Sequence, residues 1–133
     1  MQLSVAVRNA RLDAIETAIG TSPILRIRTG APPAACATAD SGTVLAEMTL
    51  PSDWMAAAAS GAKALVGSWQ DATANAAGTA GHFRIYDSGG STCGLQGTCT
   101  GTGGGGDMEL NNTSIASGQQ VTVTAFTLTD GNA

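Results

Sequence analysis

Residues 78–100 read GTAGHFRIYDSGGSTCGLQGTCT, and this stretch decides the fold. Phe83 and Ile85 alternate with His82, Arg84 and Tyr86, the period of two that puts neighbours on opposite faces of a strand over residues 78–86. Asp87-Ser88-Gly89-Gly90 is turn chemistry, so residues 92–100 are expected to return as the second arm of a hairpin. His82 has no carboxylate or thiol at catalytic or ligand spacing and reads as a surface or hydrogen-bonded strand residue. Cys93 and Cys99 are six positions apart, which on a regular strand gives them one face and a role as small buried hydrophobes.

The alternation recurs on both sides. In ILRIRT (24–29) the three apolar residues Ile24, Leu25 and Ile27 do not fit one face, so one end is buried on both sides or bulged. Residues 43–50 put Val44, Ala46, Met48 and Leu50 inward, and residues 62–70 put Lys63, Leu65 and Trp69 on one face. In the last run, 120–129, Val121, Val123 and Ala125 share a side before Phe126 and Leu128 shift phase. That slip predicts a bulge near Ala125 and Phe126 or a change of sheet. Between these runs lies GAPPAACATADSG (30–42), a long surface loop in which Pro32 and Pro33 block any ladder. Trp54–Ala59 reads as a short helical turn capped by Ser52 or Asp53, and Asp130–Ala133 as a polar tail. GTGGGG (101–106) leads into Asp107 and Glu109 rather than a Lys or a helix start. It therefore does not cradle phosphate and is expected as a left-handed or flexible hairpin tip.

Residues 4–19 carry helical spacing, with Val5, Leu12, Ile15 and Ile19 on one stripe and Arg8, Arg11, Asp13 and Glu16 largely opposite. Ser4 is the expected N-cap, Gly20 the left-handed C-cap, and Pro23 the stop. The organisation that follows is one structural unit: residues 1–22 as helix and cap, and residues 23–133 as a mainly β, sandwich or jelly-roll-like domain of about seven to eight strands.

Composition bounds the function. The net charge is −4, so a phosphate-neutralising surface is not expected, and Arg26, Arg28 and Arg84 are expected to be paired with carboxylates. No run approaches the roughly 18 apolar residues of a membrane span, and the first residues lack the basic and unbroken apolar regions of a secretory signal. The chain thus reads as made in a cytoplasm, with Cys36, Cys93 and Cys99 as reduced thiols; the Cys93 to Cys99 spacing matches no short zinc motif. No cofactor is implied. The acids Asp53, Asp71, Asp87 and Asp107 all fall in turns with no catalytic partner in view, which argues against an enzyme.

The strings AVRNARLDAIETAIG (6–20), LRIRTGAPPA (25–34), VLAEMTLPSDW (44–54), GTAGHFRIYDSGGSTC (78–93) and NTSIASGQQVTVTAFTLTDGN (112–132) resemble a family of small proteins encoded among the virion genes of tailed bacteriophages and prophages. The resemblance spans nearly the whole chain and implies a virion structural protein, assembled in the host bacterial cytoplasm. Its implied role is a capsid decoration or cement protein that binds the major capsid protein shell as a homo-oligomer, a trimer among the options. A tail or baseplate component is the alternative. A host-surface carbohydrate-binding module is a third reading, with Trp54, Trp69 and Tyr86 as stacking residues. Candidate interface residues are Val5, Arg8 and Leu12 on the helix, Pro32 and Pro33 on the loop, and the aromatics Trp54, Trp69 and Tyr86, the two tryptophans also fitting a core.

Overall fold

In a computed structural model, which describes residues 1–131, helix α1 (Val5–Ile19) is followed by β1 (Ile24–Thr29), β2 (Val44–Thr49), β3 (Ala62–Ala64), β4 (Gln70–Asp71), β5 (Gly78–Tyr86), β6 (Cys93–Gly101), β7 (Met108–Leu110), β8 (Ser114–Ile115) and β9 (Val121–Thr129). The protein is mainly β, a curled sheet with one N-terminal helix. Of the expected tail, Asn132 and Ala133 lie outside the described residues.

The hairpin of residues 78–100 forms as β5 and β6, closed by Asp87, whose Oδ1 accepts from the Ser91 and Thr92 amides. These backbone hydrogen bonds hold the Asp87 carboxyl below its ordinary value. From this hairpin the sheet grows both ways, in the order β2-β1-β5-β6-β7-β9-β3, with β8 on β5 and β4 on β9. Strands β5 and β9 are separated by two others, which in a flat sheet sets them about 14 Å apart. Phe83 of β5 and Phe126 of β9 nevertheless meet with ring centroids at 5.5 Å, so the sheet curls around its apolar face. The aromatic contacts continue from Phe126 to Trp69 at 5.4 Å and from Trp69 to Trp54 at 5.9 Å. Leu25, Ile27, Leu45, Ile85, Met108, Leu110 and Val121 fill the space around them. The curl nearly closes: Asp71 beside β9 accepts from the Glu47 amide of β2 at 3.1 Å, and the Asn75 amide donates to Leu45 at 2.7 Å.

The strand count is nine among the described residues, above the seven to eight expected, because β3, β4 and β8 are too short to show alternation. The expected strand over 62–70 is split by Gly67, whose φ of 76° breaks the ladder. The helical turn expected at Trp54–Ala59 is absent. Instead Met55 bridges Leu65 and Ala59 bridges Ala62, a hairpin turned by Ser60 and Gly61 at φ 53° and 75°. Two consecutive positive φ values match the twist of paired strands and override the helical preference of the alanines.

Bulges set the faces. Leu25 and Ile27 point into the core while Ile24 sits half-buried on the other side, and the irregularities fall on the partner strands, where Leu45 and Gly81 are the extra residues. In β9 the phase slip is a bulge at Thr124, since Glu109 pairs with Ala125 and Leu110 with Val123. A further bulge at Gly94 pairs Leu95 with Ile85 but Cys93 with Tyr86. Cys93 and Cys99 therefore face opposite sides rather than sharing one, Cys99 in the core and Cys93 on the polar face. The glycine segment likewise differs from a hairpin tip, for β7 runs parallel to β6, with Cys99 opposite Met108. Parallel neighbours normally need a crossover of a dozen residues or more. Here the chain doubles back at once because Gly103 and Gly105 take φ values of 82° and 77°, and the Glu109 carboxylate accepts from both their amides.

Gly81 is where backbone meets backbone. A Cβ there stands 2.2 Å from the Gly30 carbonyl oxygen, with no flexible side chain to move aside. Gly81→Ala is expected to cost about 2–3 kcal/mol in urea denaturation. Gly101→Ala, where nothing lies within 4 Å, is expected to be nearly neutral.

Candidate interaction surface

The face of the sheet opposite the core is a grid of polar side chains. Across β1, β5 and β6 the register aligns Ile24, Tyr86 and Cys93, then Arg26, Arg84 and Gln96, then Arg28, His82 and Thr98. Residues 30–42 lie over it. The loop holds few spare amides, with none at Pro32 and Pro33, but every carbonyl is an acceptor, and a guanidinium is all donors. Arg84, 1% exposed, donates Nη2 to the carbonyls of Ala35, Cys36 and Thr38 and Nη1 to Asp40. His82 Nδ1, facing a carbonyl, donates to Gly30 at 2.9 Å, and Gln96 Nε2 donates to Pro33 at 2.6 Å. Asp40 also accepts from the Tyr86 hydroxyl at 2.7 Å and from Arg28 Nη2 at 2.8 Å. Partial burial disfavours the Asp40 carboxylate, but these hydrogen bonds and the two guanidinium charges outweigh it and hold the carboxyl below its ordinary 3.8. Burial and the bond to Asp40 push the Tyr86 hydroxyl up. Arg26 stands outside, paired with Glu47 at 2.6 Å and stacked 4.6 Å above the Tyr86 ring. The three arginines are thus paired with carboxylates, as expected.

The helix docks by two adjacent rows. Leu12, Ile15 and Ile19 meet the core, and the row beside them is polar. Asn9 accepts from the Gly61 amide, Asp13 from the Ala58 amide, and Glu16 from the Met55 amide, while the Gly20 carbonyl accepts from Trp54 Nε1. The acids expected to face away from the body are therefore its fasteners, because residues 55–61 offer amides that no strand pairs. Lys63, 2% exposed, sits between Asp13 and Glu16 at 2.7 Å from each. Burial alone lowers its pKa, but the bonds to these two acids prevail and raise it above 10.5. The bonds from Lys63 and Ala58 depress Asp13. Ser4 caps the helix as expected, accepting from the Val7 amide. Gly20 ends it at φ 95°, ψ −174°, outside the left-handed helical region.

Of the candidate interface residues, Trp54 and Trp69 are fully enclosed, and Leu12 and Tyr86 are buried as well. None of the four is presented on the surface, a correction with three causes: the curl turns both indoles inward, α1 docks through Leu12, and residues 30–42 cover Tyr86. Arg8 is half-buried, its Nη1 on the Asp130 carbonyl at 2.9 Å. Pro32 and Pro33 are half-buried on the covering loop, and Val5 stands 48% exposed. Met1, Val5 and Val7, all near the start of the chain, and Val66 are the exposed large apolar side chains among the described residues. Alternation alone missed Asp40 and Lys63, although Arg84 within the apolar run HFRIY and Lys63 on the face of Trp69 are signals of buried cations in need of acids.

The turn acids serve locally. Asp71 accepts from the Thr73 and Glu47 amides, and Asp107 Oδ2 accepts from the amide and hydroxyl of Thr98. Asp53 lines an open cleft of about 630 Å³ between α1 and residues 52–57, with Asp13, Glu16, Met55 and Lys63. Among the described residues no group of three or more His, Cys, Asp or Glu is placed to hold a metal, and no helix is long and apolar enough to cross a membrane. Comparison with protein-family models, with curated proteins and with solved structures finds no match.

Asp40 and Asp13 are held below 3.8, so the stability they confer is whole above that pH and is lost as pH falls through their lower folded values. Lys63 is held above 10.5, and its contribution is lost only as pH rises through its folded value. Asp40→Ala leaves Arg84 without its carboxylate and is expected to cost about 2–3 kcal/mol at neutral pH. Hydrogen exchange should report faster opening of residues 30–42 in this variant than in the parent, with the difference shrinking in acid. Asp13→Asn combined with Glu16→Gln leaves the Lys63 ammonium without a counter-charge and is expected to lower the urea midpoint clearly in the same assay.

Proposed function

We propose that the protein is a virion structural component of a tailed bacteriophage, a decoration or cement protein that binds the major capsid protein shell by protein-protein contacts. The observation that carries this reading is the exposure of three apolar side chains, Met1, Val5 and Val7, within the first seven residues, where the described chain has one other large apolar side chain so exposed, Val66. Apolar side chains gathered at one end of a chain give a partner something to cover. The strings quoted above, which resemble virion gene products, supply the partner class. The acidic balance of −4 suits a surface turned away from packaged DNA.

The polar groups support the same reading. Asp13, Glu16, Asp40, Asp71, Asp87 and Asp107 are engaged in holding helix, loop and turns, the work of a scaffold. A carbohydrate module needs aromatic rings on its surface, and Trp54, Trp69 and Tyr86 are inside. A tail or baseplate position uses the same exposed side chains and remains the second reading.

The purified protein is expected to co-sediment with shells that lack it, saturating at a fixed ratio to the major capsid protein. Val5→Glu with Val7→Glu should reduce that binding at least tenfold with thermal stability unchanged, each residue being about half exposed. Binding to isolated tails and not to shells would move the assignment to the tail. Binding to neither would overturn a virion role.

A further inference from the structure

We propose that Cys36 and Cys93 are an oxidation site, closing to a disulfide that locks residues 30–42 onto the polar face of β5 and β6. Their Sγ atoms lie 2.9 Å apart, although 57 positions separate them in the chain. A bond therefore requires the sulfurs to approach by only about 0.9 Å. The bulge at Gly94 is what turns Cys93 to this side. Cys36 is held from the other, its carbonyl accepting from Arg84 Nη2 at 2.7 Å, so both partners are positioned by contacts independent of their sulfurs.

The two thiols are also reachable. Both are half-buried and line an open pocket of about 290 Å³ with Asp40, Arg84, Gly90 and Ser91. Burial and the neighbouring Cys36 push the Cys93 thiol up to about 11, while the Arg84 guanidinium beside it favours the thiolate. Cys99 is the contrasting case: it faces the core, and burial drives its thiol up to about 12. Of the pairings three cysteines allow, the fold thus prepares one.

The chemistry balances with a small disulfide such as oxidised glutathione as oxidant. The Cys36 thiolate attacks one glutathione sulfur, forming a mixed disulfide and expelling one glutathione thiolate. The Cys93 thiolate then attacks Cys36 Sγ, closing the protein disulfide and expelling the second. The two protein thiols lose two electrons and two protons, and oxidised glutathione becomes two molecules of glutathione.

The test treats the full chain with oxidised glutathione. Titration of thiols after denaturation is expected to find three before treatment and one after. A non-reducing proteolytic map should show one linked pair of peptides, carrying Cys36 and Cys93. Because the bond closes a long loop in the unfolded chain, the melting temperature should rise by roughly 10 °C and fall back on adding a reductant. Cys36→Ser and Cys93→Ser should each abolish the rise, and Cys99→Ser should leave it intact. Glutathione retained on Cys36, any link that includes Cys99, or a Cys36–Cys93 link without a rise in melting temperature would overturn the proposal.

Discussion

A guanidinium buried in protein needs acceptors, and both terminal nitrogens of Arg84 find them in residues 35–40, at three carbonyls and one carboxylate. The sheet is covered on both faces, but by different means. Its inner face closes on itself through the aromatic series Phe83, Phe126, Trp69 and Trp54, where area removed from water does the work. Its outer face over β1, β5 and β6 is polar and is closed by hydrogen bonds from strand side chains to loop carbonyls. Asp40 supplies the charge that Arg84 and Arg28 require. Without that carboxylate two guanidiniums would share a low-dielectric site with no counter-charge, and the bonds to the loop carbonyls would have to hold the loop against their repulsion.

The helix repeats this logic with the signs exchanged. There the backbone of residues 55–61 supplies donors, and the side chains of Asn9, Asp13 and Glu16 supply acceptors. Lys63 adds a buried cation between two acids. In both places an irregular or short β segment is completed by side chains where a neighbouring strand would otherwise stand. Short elements and a long proline-containing loop are tolerated for that reason, since their backbone groups are satisfied from outside.

The regular part of this architecture was legible in the chain. Alternation located β1, β2, β5, β6 and β9, the phase slip located the bulge beside Ala125, and the helix and its Ser4 cap followed from spacing. What escaped were features that depend on partners far away in sequence. Period-two counting puts Lys63 on the face of Leu65 and Trp69 and leaves Arg84 to pair with some carboxylate, but it does not name Asp13, Glu16 and Asp40 as the acids that reach them. The opposite facing of Cys93 and Cys99 hangs on a single bulge at Gly94 that leaves no trace in the pattern of apolar residues. The alanines of residues 56–59 argue locally for a helix, and only the Ser60-Gly61 turn with its partner at Leu65 decides otherwise. The inward placement of Trp54 and Trp69 depends likewise on the curl, a property of the sheet as a whole.

The closure of the sheet has a consequence for how copies of the chain can meet. A strand border with free amides and carbonyls is a template on which identical chains can stack, and high local concentration invites that reaction. Here Asp71 and Asn75 occupy β2 at one border, while β3 at the other is flanked by the 54–65 hairpin, whose Met55, Ala58 and Gly61 amides are covered by Glu16, Asp13 and Asn9 of the helix. Copies held side by side are thereby steered toward contacts made by side chains, which can be specific, and away from fibre-like polymerisation through the main chain.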